Sequence, residues 1–147
     1  MRNNDNHVYF FDVWYVFQDQ NEDNHYFHIG YFSSRKKAIE AIESVKYKSG
    51  FYDTDGDFSI SRIRVYHNQS NFKKENCNLF ILYHEFLDEE GYENSTIWGP
   101  FSSNLEAEKA YSENKNKAPY CLHPHNFEIC DQKSDLCGWS EGFVSNE

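Results

Sequence analysis

The densest group of metal-binding side chains in this sequence lies between positions 121 and 137. It contains three thiols and two imidazoles, from Cys121, His123, His125, Cys130 and Cys137. Thiolate sulfur and imidazole nitrogen are the ligands that zinc prefers in tetrahedral sites. The spacing matches no common zinc motif, and a strand here would point Cys130 away from the apolar residues beside it. A zinc site, and with it a metal-dependent enzyme, therefore stays an alternative to the main interpretation below, which needs no cofactor.

A second candidate metal site is the acidic segment that contains Asp53, Asp55 and Asp57. Carboxylates at alternate positions resemble the start of a calcium-binding loop of the EF-hand type. That loop needs glycine at its sixth position and a bidentate glutamate at its twelfth, where this chain has Phe58 and Arg64. The segment is therefore predicted to be an acidic surface turn.

The pair His84-Glu85 is the nearest approach to a catalytic motif. A metalloprotease would need a second histidine four residues after the first, on a helix, and position 88 is Asp88. The surrounding residues are typical of a strand, on which neighbouring side chains point to opposite faces. The sequence also lacks a nucleophile elbow and a glycine-rich phosphate loop. We therefore expect a protein that is not an enzyme.

Two acidic turns are the remaining candidates for function. Clustered carboxylates attract a basic partner, and an aromatic side chain beside them can supply binding energy. In the first turn the carboxylates are those of Asp19, Glu22 and Asp23. The second turn has more of them and adds an aromatic ring, through Asp88, Glu89, Glu90, Tyr92 and Glu93. Trp98 and Trp139 also belong to this half of the sequence, and its larger excess of acidic side chains makes the second turn the preferred partner-binding site.

The elements that position these residues are predicted by an internal similarity at an offset of 69 residues. The segment 30–34, Gly-Tyr-Phe-Ser-Ser, returns at 99–103 as Gly-Pro-Phe-Ser-Ser, and 13 of 52 aligned positions over 10–61 are identical. The similarity also tests the metal sites. The counterparts of Cys121, His125 and Cys130 are Tyr52, Gly56 and Ser61, none of them a strong zinc ligand.

Each copy is predicted to be a β-β-α-β unit. Apolar alternation predicts strands, and alanines at helical spacing after a serine pair predict a capped helix that ends at Ser49-Gly50 in the first copy. The predicted elements are strands at 8–17, 26–32 and 58–65 with a helix from 33 or 34, then strands at 78–87, 95–101 and 126–131 with a helix at 103–116. We expect an α+β protein with antiparallel sheet and helices packed on it. Its repeats, 1–69 and 70–147, should pack together as one compact unit.

Composition limits the classes of partner. The formal net charge is −10, and residues 71–147 carry 14 acidic and 6 basic side chains against 10 and 8 in residues 1–70. Such a chain repels nucleic acid and anionic membranes and attracts basic proteins. No apolar run approaches the ~20 residues of a membrane span, and positions 1–6 do not resemble a signal peptide. We therefore expect a cytoplasmic protein with reduced thiols.

The second copy resembles a small bacterial domain of unknown function. The similarity extends over 79–143. It is carried by His84-Glu85-Phe86, by Phe101-Ser102-Ser103 at the helix start, by Phe127 to Ile129, and by the closing segment Trp139-Ser-Glu-Gly-Phe143. The resemblance implies the fold more than an activity, since the family has no established one.

Together these features predict an immunity or antitoxin protein of bacterial origin. It would cover the basic active cleft of a cognate toxin, a nuclease in the leading hypothesis, with its acidic and aromatic surface. The composition agrees with this interpretation, since abundant Asn, Lys, Tyr and Phe are typical of AT-rich mobile elements. The alternatives are a nucleic-acid mimic that inhibits a DNA-binding protein, and the metal-dependent enzyme.

Overall fold

The structure is a computed structural model that describes residues 6–144. It is an α+β fold with two antiparallel three-stranded sheets and two helices. In chain order the elements are β1 (His7–Gln18), β2 (Asn24–Phe32), α1 (Arg35–Val45), β3 (Asp57–Tyr66), β4 (Asn78–Leu87), β5 (Glu93–Phe101), α2 (Asn104–Asn114) and β6 (Phe127–Lys133). Two single 3₁₀ turns, Tyr120–Leu122 and Pro124–Asn126, precede β6.

The sheets have the same strand arrangement, β2-β1-β3 and β5-β4-β6, with the first strand of each at the centre. β1 pairs antiparallel with β2, and β4 pairs antiparallel with both β5 and β6. Each hairpin contains one irregularity in register, between Val13 and Trp14 in β1 and between Phe80 and Leu82 in β4. Such bulges bend the strand and increase its twist, which suits a sheet that packs against a helix.

Both helices begin at a serine cap. The hydroxyl of Ser34 accepts the backbone N–H of Lys37 at 3.2 Å, and that of Ser103 accepts the N–H of Glu106 at 3.2 Å. These bonds satisfy one of the free N–H groups that every helix start has. The buried face of α1 consists of Ala38, Ala41 and Val45. That of α2 is narrower, with Ala107 and Ala110 alone buried.

Helix α1 ends earlier than predicted, at Val45 and not at Ser49-Gly50. The N–H of Lys48 donates to the carbonyl of Val45, which turns the chain out of the helix. Gly50 instead serves the following turn, where its φ of +89° lies in the region that favours glycine.

The chain divides into two compact units. The β1 unit comprises Tyr9–Arg64, Lys73–Cys77 and the described end of the chain from Ser134, and the β4 unit comprises 6–8, Val65–Phe72 and Asn78–Lys133. The terminal segment 134–144 thus belongs with the first set of elements, whereas the sequence analysis grouped it with the second. Trp139 in particular packs edge-to-face on Phe27 of β2, with ring centroids 4.9 Å apart.

Polar and aromatic contacts hold the terminal segment in the β1 unit. The carboxylate of Asp135 accepts the backbone N–H of Ser33 at 2.7 Å and its hydroxyl at 2.8 Å. It also pairs with Lys37 at 3.3 Å, and its side chain is only 7% exposed. The backbone N–H of Phe143 donates to the carbonyl of Ser49 at 2.8 Å. Because a buried charge needs such partners, these bonds fix one path for the segment.

The core of the β1 unit is aromatic and forms around Tyr15, which is almost completely buried. Its ring contacts those of Phe51 at 5.0 Å and Phe58 at 4.7 Å. Phe143 from the terminal segment stacks on Phe27 at 4.0 Å between centroids and completes this cluster. The terminal segment is therefore a structural part of the β1 unit.

Candidate functional site

The turn between β4 and β5 is built around the carboxylate of Asp88. Its Oδ1 atom accepts the backbone N–H groups of Glu90 at 2.9 Å and Tyr92 at 3.0 Å. The amide of Asn94 donates to Oδ2 at 3.3 Å. These bonds, led by the one from Tyr92, lower the pKa of Asp88 because they favour its charged form. Asp88 thus has a structural role in this turn.

The turn between β1 and β2 repeats this geometry 69 residues earlier. Asp19 Oδ1 accepts the backbone N–H groups of Asn21 at 2.8 Å and Asp23 at 3.0 Å. The ring of His25 lies 2.7 Å from Oδ2 and is the main cause of a lowered pKa at Asp19. Both aspartates that sequence analysis assigned to partner binding therefore hold their own turns in shape.

The other side chains of the β4–β5 turn point outward. Glu89, Glu90 and Glu93 are exposed, and within residues 6–144 none of them forms an ion pair. Tyr92 is 68% exposed. Unpaired carboxylates and an exposed ring together form an acidic aromatic surface, which we call the β4–β5 tip and define as Glu89, Glu90, Tyr92 and Glu93. In the other turn, Glu22 and Asp23 are exposed, and the position equivalent to Tyr92 is Asp23.

The two tryptophans of this half of the sequence lie away from the tip. Trp98 is half-buried and packs on Tyr120, with ring centroids 5.0 Å apart. Trp139 belongs to the β1 unit. Of the three aromatic residues considered, Tyr92 is the one that the structure places at the tip.

An open groove of about 510 Å³ adjoins the tip within the β4 unit. Three acidic residues line it together with apolar and aromatic ones, and the full set is Phe86, Leu87, Asp88, Glu89, Glu90, Pro119, Leu122 and His123. The ring of His123 stacks on Phe86 with centroids 4.3 Å apart. Leu87 and Leu122 are 62% and 71% exposed, so their apolar surface is available to a partner. The groove was not predicted, because the sequence pattern indicated only the acidic side chains beside it and, for His123, an alternative role as a zinc ligand.

His84 is part of the core beneath this surface. It is fully buried, and its Nε2 atom lies 2.9 Å from the carbonyl oxygen of His123, so Nε2 carries the proton and donates. Its Nδ1 atom has no hydrogen-bond partner in the described part of the chain. At the equivalent position Tyr15 bonds to Thr54, the counterpart of His123. As expected for a strand, the neighbouring Glu85 is exposed while His84 is buried.

The five candidate zinc ligands do not form a ligand set. Across residues 6–144 no group of three or more His, Cys, Asp and Glu side chains is placed to hold a metal ion. Cys121 and His125 are exposed, Cys130 lies in β6, and Cys137 belongs to the β1 unit. Desolvation raises the pKa of both the Cys130 and Cys137 thiols, which keeps them protonated at neutral pH.

The acidic segment that leads into β3 also forms a turn. The Oδ2 atom of Asp53 accepts the backbone N–H of Gly50 at 3.3 Å, while Asp55 and Asp57 are exposed. The arrangement agrees with the predicted acidic surface turn.

A half-buried His–Asp pair in the β1 unit was also missed. His28 Nε2 lies 2.6 Å from Asp12 Oδ1, and the Trp14 indole N–H donates to Oδ2 at 3.2 Å. The residues lie on neighbouring strands, where Trp14 is directly opposite His28. The register places Asp12 opposite Tyr31, so the contact with His28 is diagonal and crosses the bulge after Val13, which strand pairing alone does not predict. The 69-residue similarity does not reveal the pair either, because the positions equivalent to Asp12 and His28, 81 and 97, both carry isoleucine.

Comparison with protein-family models finds no match, and neither does comparison with curated proteins or with solved structures. Among the described residues, no helix is sufficiently long and apolar to cross a lipid bilayer.

Proposed function

We propose that this chain is an immunity or antitoxin protein that binds and neutralises a basic protein toxin. The observation that carries the proposal is the β4–β5 tip, where exposed carboxylates without ion-pair partners surround an exposed tyrosine. Carboxylates of this kind attract a basic partner over a distance, and a tyrosine provides contact area at low conformational cost.

A nuclease is the preferred class of toxin. The active cleft of a nuclease must bind a polyanion and is therefore lined with Lys and Arg. An acidic protein surface competes for the same charges, so binding there would block substrate. Glu89, Glu90 and Glu93 would meet the basic cleft, Tyr92 would anchor the contact, and Asp88 would keep the turn in shape. In the β1–β2 turn, Glu22 and Asp23, with Asp19 holding the turn, form a second and weaker candidate surface.

The test uses a toxin domain encoded next to the gene for this chain. The purified chain should inhibit the nuclease activity of that domain in a stoichiometric manner, and affinity should fall steeply with ionic strength. Replacing Glu89→Lys together with Glu90→Lys should weaken binding by about tenfold or more, measured by isothermal titration calorimetry. Tyr92→Ala should have an effect of similar size through lost contact area.

The matched control is the double variant Glu113→Lys with Asp131→Lys. Both residues are exposed carboxylates of the same unit, and the change in net charge is the same. Affinity close to that of the unchanged protein is expected for this control. The site assignment fails if both double variants weaken binding equally, and the function fails if the chain neither binds nor inhibits the toxin.

The acidic surface leaves nucleic-acid mimicry as the second candidate. A mimic would bind a DNA-binding protein and displace its DNA, without protecting cells from a toxin. Both functions displace DNA from the bound protein, so cell survival separates them. Expression of the neighbouring gene product alone should kill cells, and co-expression of the chain should rescue them, only if the chain is an immunity protein.

We also propose that the two units descend from one duplicated β-β-α-β unit of the bacterial family that the sequence resembles. The recurrence of backbone hydrogen bonds at the 69-residue offset supports this. The backbone N–H of Tyr52 donates to the carbonyl of Lys48 at 2.9 Å. At the equivalent positions, the backbone N–H of Cys121 donates to the carbonyl of Lys117, also at 2.9 Å. An immunity protein of this kind would act in the cytoplasm of the cell that it protects.

A further inference from the structure

In the β1 unit, an aromatic side chain from the end of the chain covers the aromatic core. Phe143 stacks on Phe17, with centroids 5.8 Å apart and rings inclined by 16°. It approaches Gly50 so closely that a Cβ atom there would lie 2.6 Å from its ring. In the β1 unit, the ring of Phe143 therefore fills the space between Phe17 and Gly50.

The groove of the β4 unit contains the equivalents of two of the residues that Phe143 contacts. Phe86 and Pro119 stand 69 residues after Phe17 and Gly50, and both line the groove. In the described part of the chain the β4 unit ends at Lys133, and no segment from beyond that residue belongs to it. In the β4 unit, the part of this surface that corresponds to Phe17 and Gly50 lines an open groove.

We propose that this groove binds an aromatic side chain carried on a basic segment of the partner. The inference rests on the proposed function and specifies how the same site recognises its target. Phe86, Leu122 and His123 supply an apolar and aromatic lining for a ring. The volume of about 510 Å³ lies within the roughly 300–1,000 Å³ that is usual for ligand pockets.

The charge of the groove determines which residues should flank the bound ring in the partner. Asp88, Glu89 and Glu90 line one side of the groove, and no lysine or arginine lines it. A ring that enters the groove therefore brings its neighbouring residues close to three carboxylates. Lysine or arginine on both sides of the ring satisfies these charges, whereas an acidic segment is repelled.

The terminal segment of a second copy of this chain fits the groove poorly. In the β1 unit a Cβ atom at position 50 would lie 2.5 Å from the carbonyl oxygen of Phe143, so this path of the segment requires glycine. The equivalent residue in the groove is Pro119, which has a Cβ atom. Glu141 within that segment would also add a carboxylate to an acidic surface. The occupant is thus a segment of a different protein.

The experiment titrates two basic peptides into the ¹⁵N-labelled full chain and follows amide chemical shifts. The probe is acetyl-Lys-Lys-Phe-Lys-Lys-amide, and the control peptide has Ala in place of Phe. The Phe peptide should shift the amides of Leu87, Leu122 and His123 and bind at least about fivefold more tightly than the Ala peptide. Equal affinities, or shifts confined to residues outside the groove, would overturn the proposal.

A variant pair separates the groove from simple charge attraction. Leu87→Gln with Leu122→Asp installs the residues that the β1 unit has at the equivalent positions, Gln18 and Asp53. It adds a negative charge, so charge attraction alone predicts tighter binding, while loss of the apolar lining predicts binding at least about fivefold weaker. Leu105→Gln changes an exposed leucine of α2 and should leave affinity unchanged. Tighter binding by the double variant would contradict the groove assignment.

Two further results distinguish this inference from the proposed function. If the neighbouring toxin binds and is weakened by Glu89→Lys with Glu90→Lys but not by Leu87→Gln with Leu122→Asp, the groove proposal fails and the function stands. If the Phe peptide occupies the groove but the toxin does not bind, the function fails and the groove stands. A peptide of residues 136–144 that binds more tightly than the Phe peptide would overturn the choice of occupant in favour of a second copy.

Discussion

At the scale of single residues, exposure separates Cys121 from the other thiols. Cys121 is exposed, whereas Cys77, Cys130 and Cys137 are partly buried. Desolvation is the first cause that raises the pKa of each of these three thiols. Because the thiolate is the reactive form, raised pKa values and restricted access both slow modification.

We predict that one thiol of the native protein reacts rapidly with Ellman's reagent at neutral pH and that Cys121→Ser abolishes this phase. Unfolding in denaturant should expose all four thiols. The same assay addresses the zinc alternative. Zinc bound through Cys121 would protect it, so a fast phase that appears only after chelator treatment would contradict this prediction and support a metal site.

Residue types at the tip were predictable, but their roles were not. The pattern of acidic residues before Gly91 indicated a turn, since Asp and Gly favour turns. Whether a carboxylate folds back on the backbone or faces solvent depends on the turn conformation. The structure assigns the first role to Asp88 and the second to Glu89 and Glu90. Composition alone could not make that distinction.

At the scale of elements, the two hairpin turns are expected to depend on pH in the same direction. The pKa values of Asp19 and Asp88 are lowered in the folded protein by the hydrogen bonds that their carboxylates accept. A lowered pKa means that the charged form stabilises the fold above the pKa of the unfolded chain. That contribution is lost as the pH falls through the folded-state pKa.

We predict that Asp88→Ala lowers the thermal midpoint at neutral pH and that its difference from the unchanged protein narrows in acid. Asp88→Asn should have a smaller effect, since its amide oxygen still accepts the N–H groups of Glu90 and Tyr92. Glu89→Gln is the control, because that exposed side chain accepts no hydrogen bond within the described turn. Carboxyl NMR titration provides the direct measurement, and an Asp88 pKa at or above its ordinary value would contradict the interpretation.

Element types and order followed from the sequence because local rules determine them. Alternation predicted the strands to within about two residues, and Ser34 and Ser103 mark the helix starts as capping residues. The predicted end of α1 was wrong. Gly50 suggested a helix terminus, but with its positive φ it forms a turn beside Phe143. The need for glycine at position 50 depends on Phe143, which lies more than ninety positions away in the sequence. No rule based on neighbouring residues predicts it.

At the scale of the whole molecule, the path of the terminal segment is the main feature that sequence did not reveal. Trp139 and Phe143 follow β6 directly, so proximity in the chain assigned them to the second copy. The structure packs both on Phe27 in the β1 unit. The 69-residue offset could not detect this, because the aligned segments end before the terminal segment and it has no counterpart to compare.

Phe143 should therefore stabilise elements that are distant in sequence. Phe143→Ala removes a ring that stacks on Phe27 and Phe17, and we expect the free energy of unfolding to fall by about 2–4 kcal/mol. Gly50→Ala should destabilise the same region, since its new methyl group would meet the Phe143 ring. Hydrogen exchange should then accelerate in β1, β2 and α1.

Val144→Ala, which alters an exposed neighbour, should change stability by less than about 0.5 kcal/mol. Faster exchange confined to β4, β5 and β6 in the Phe143→Ala variant would show that the terminal segment stabilises the second set of elements, and would contradict the packing described above.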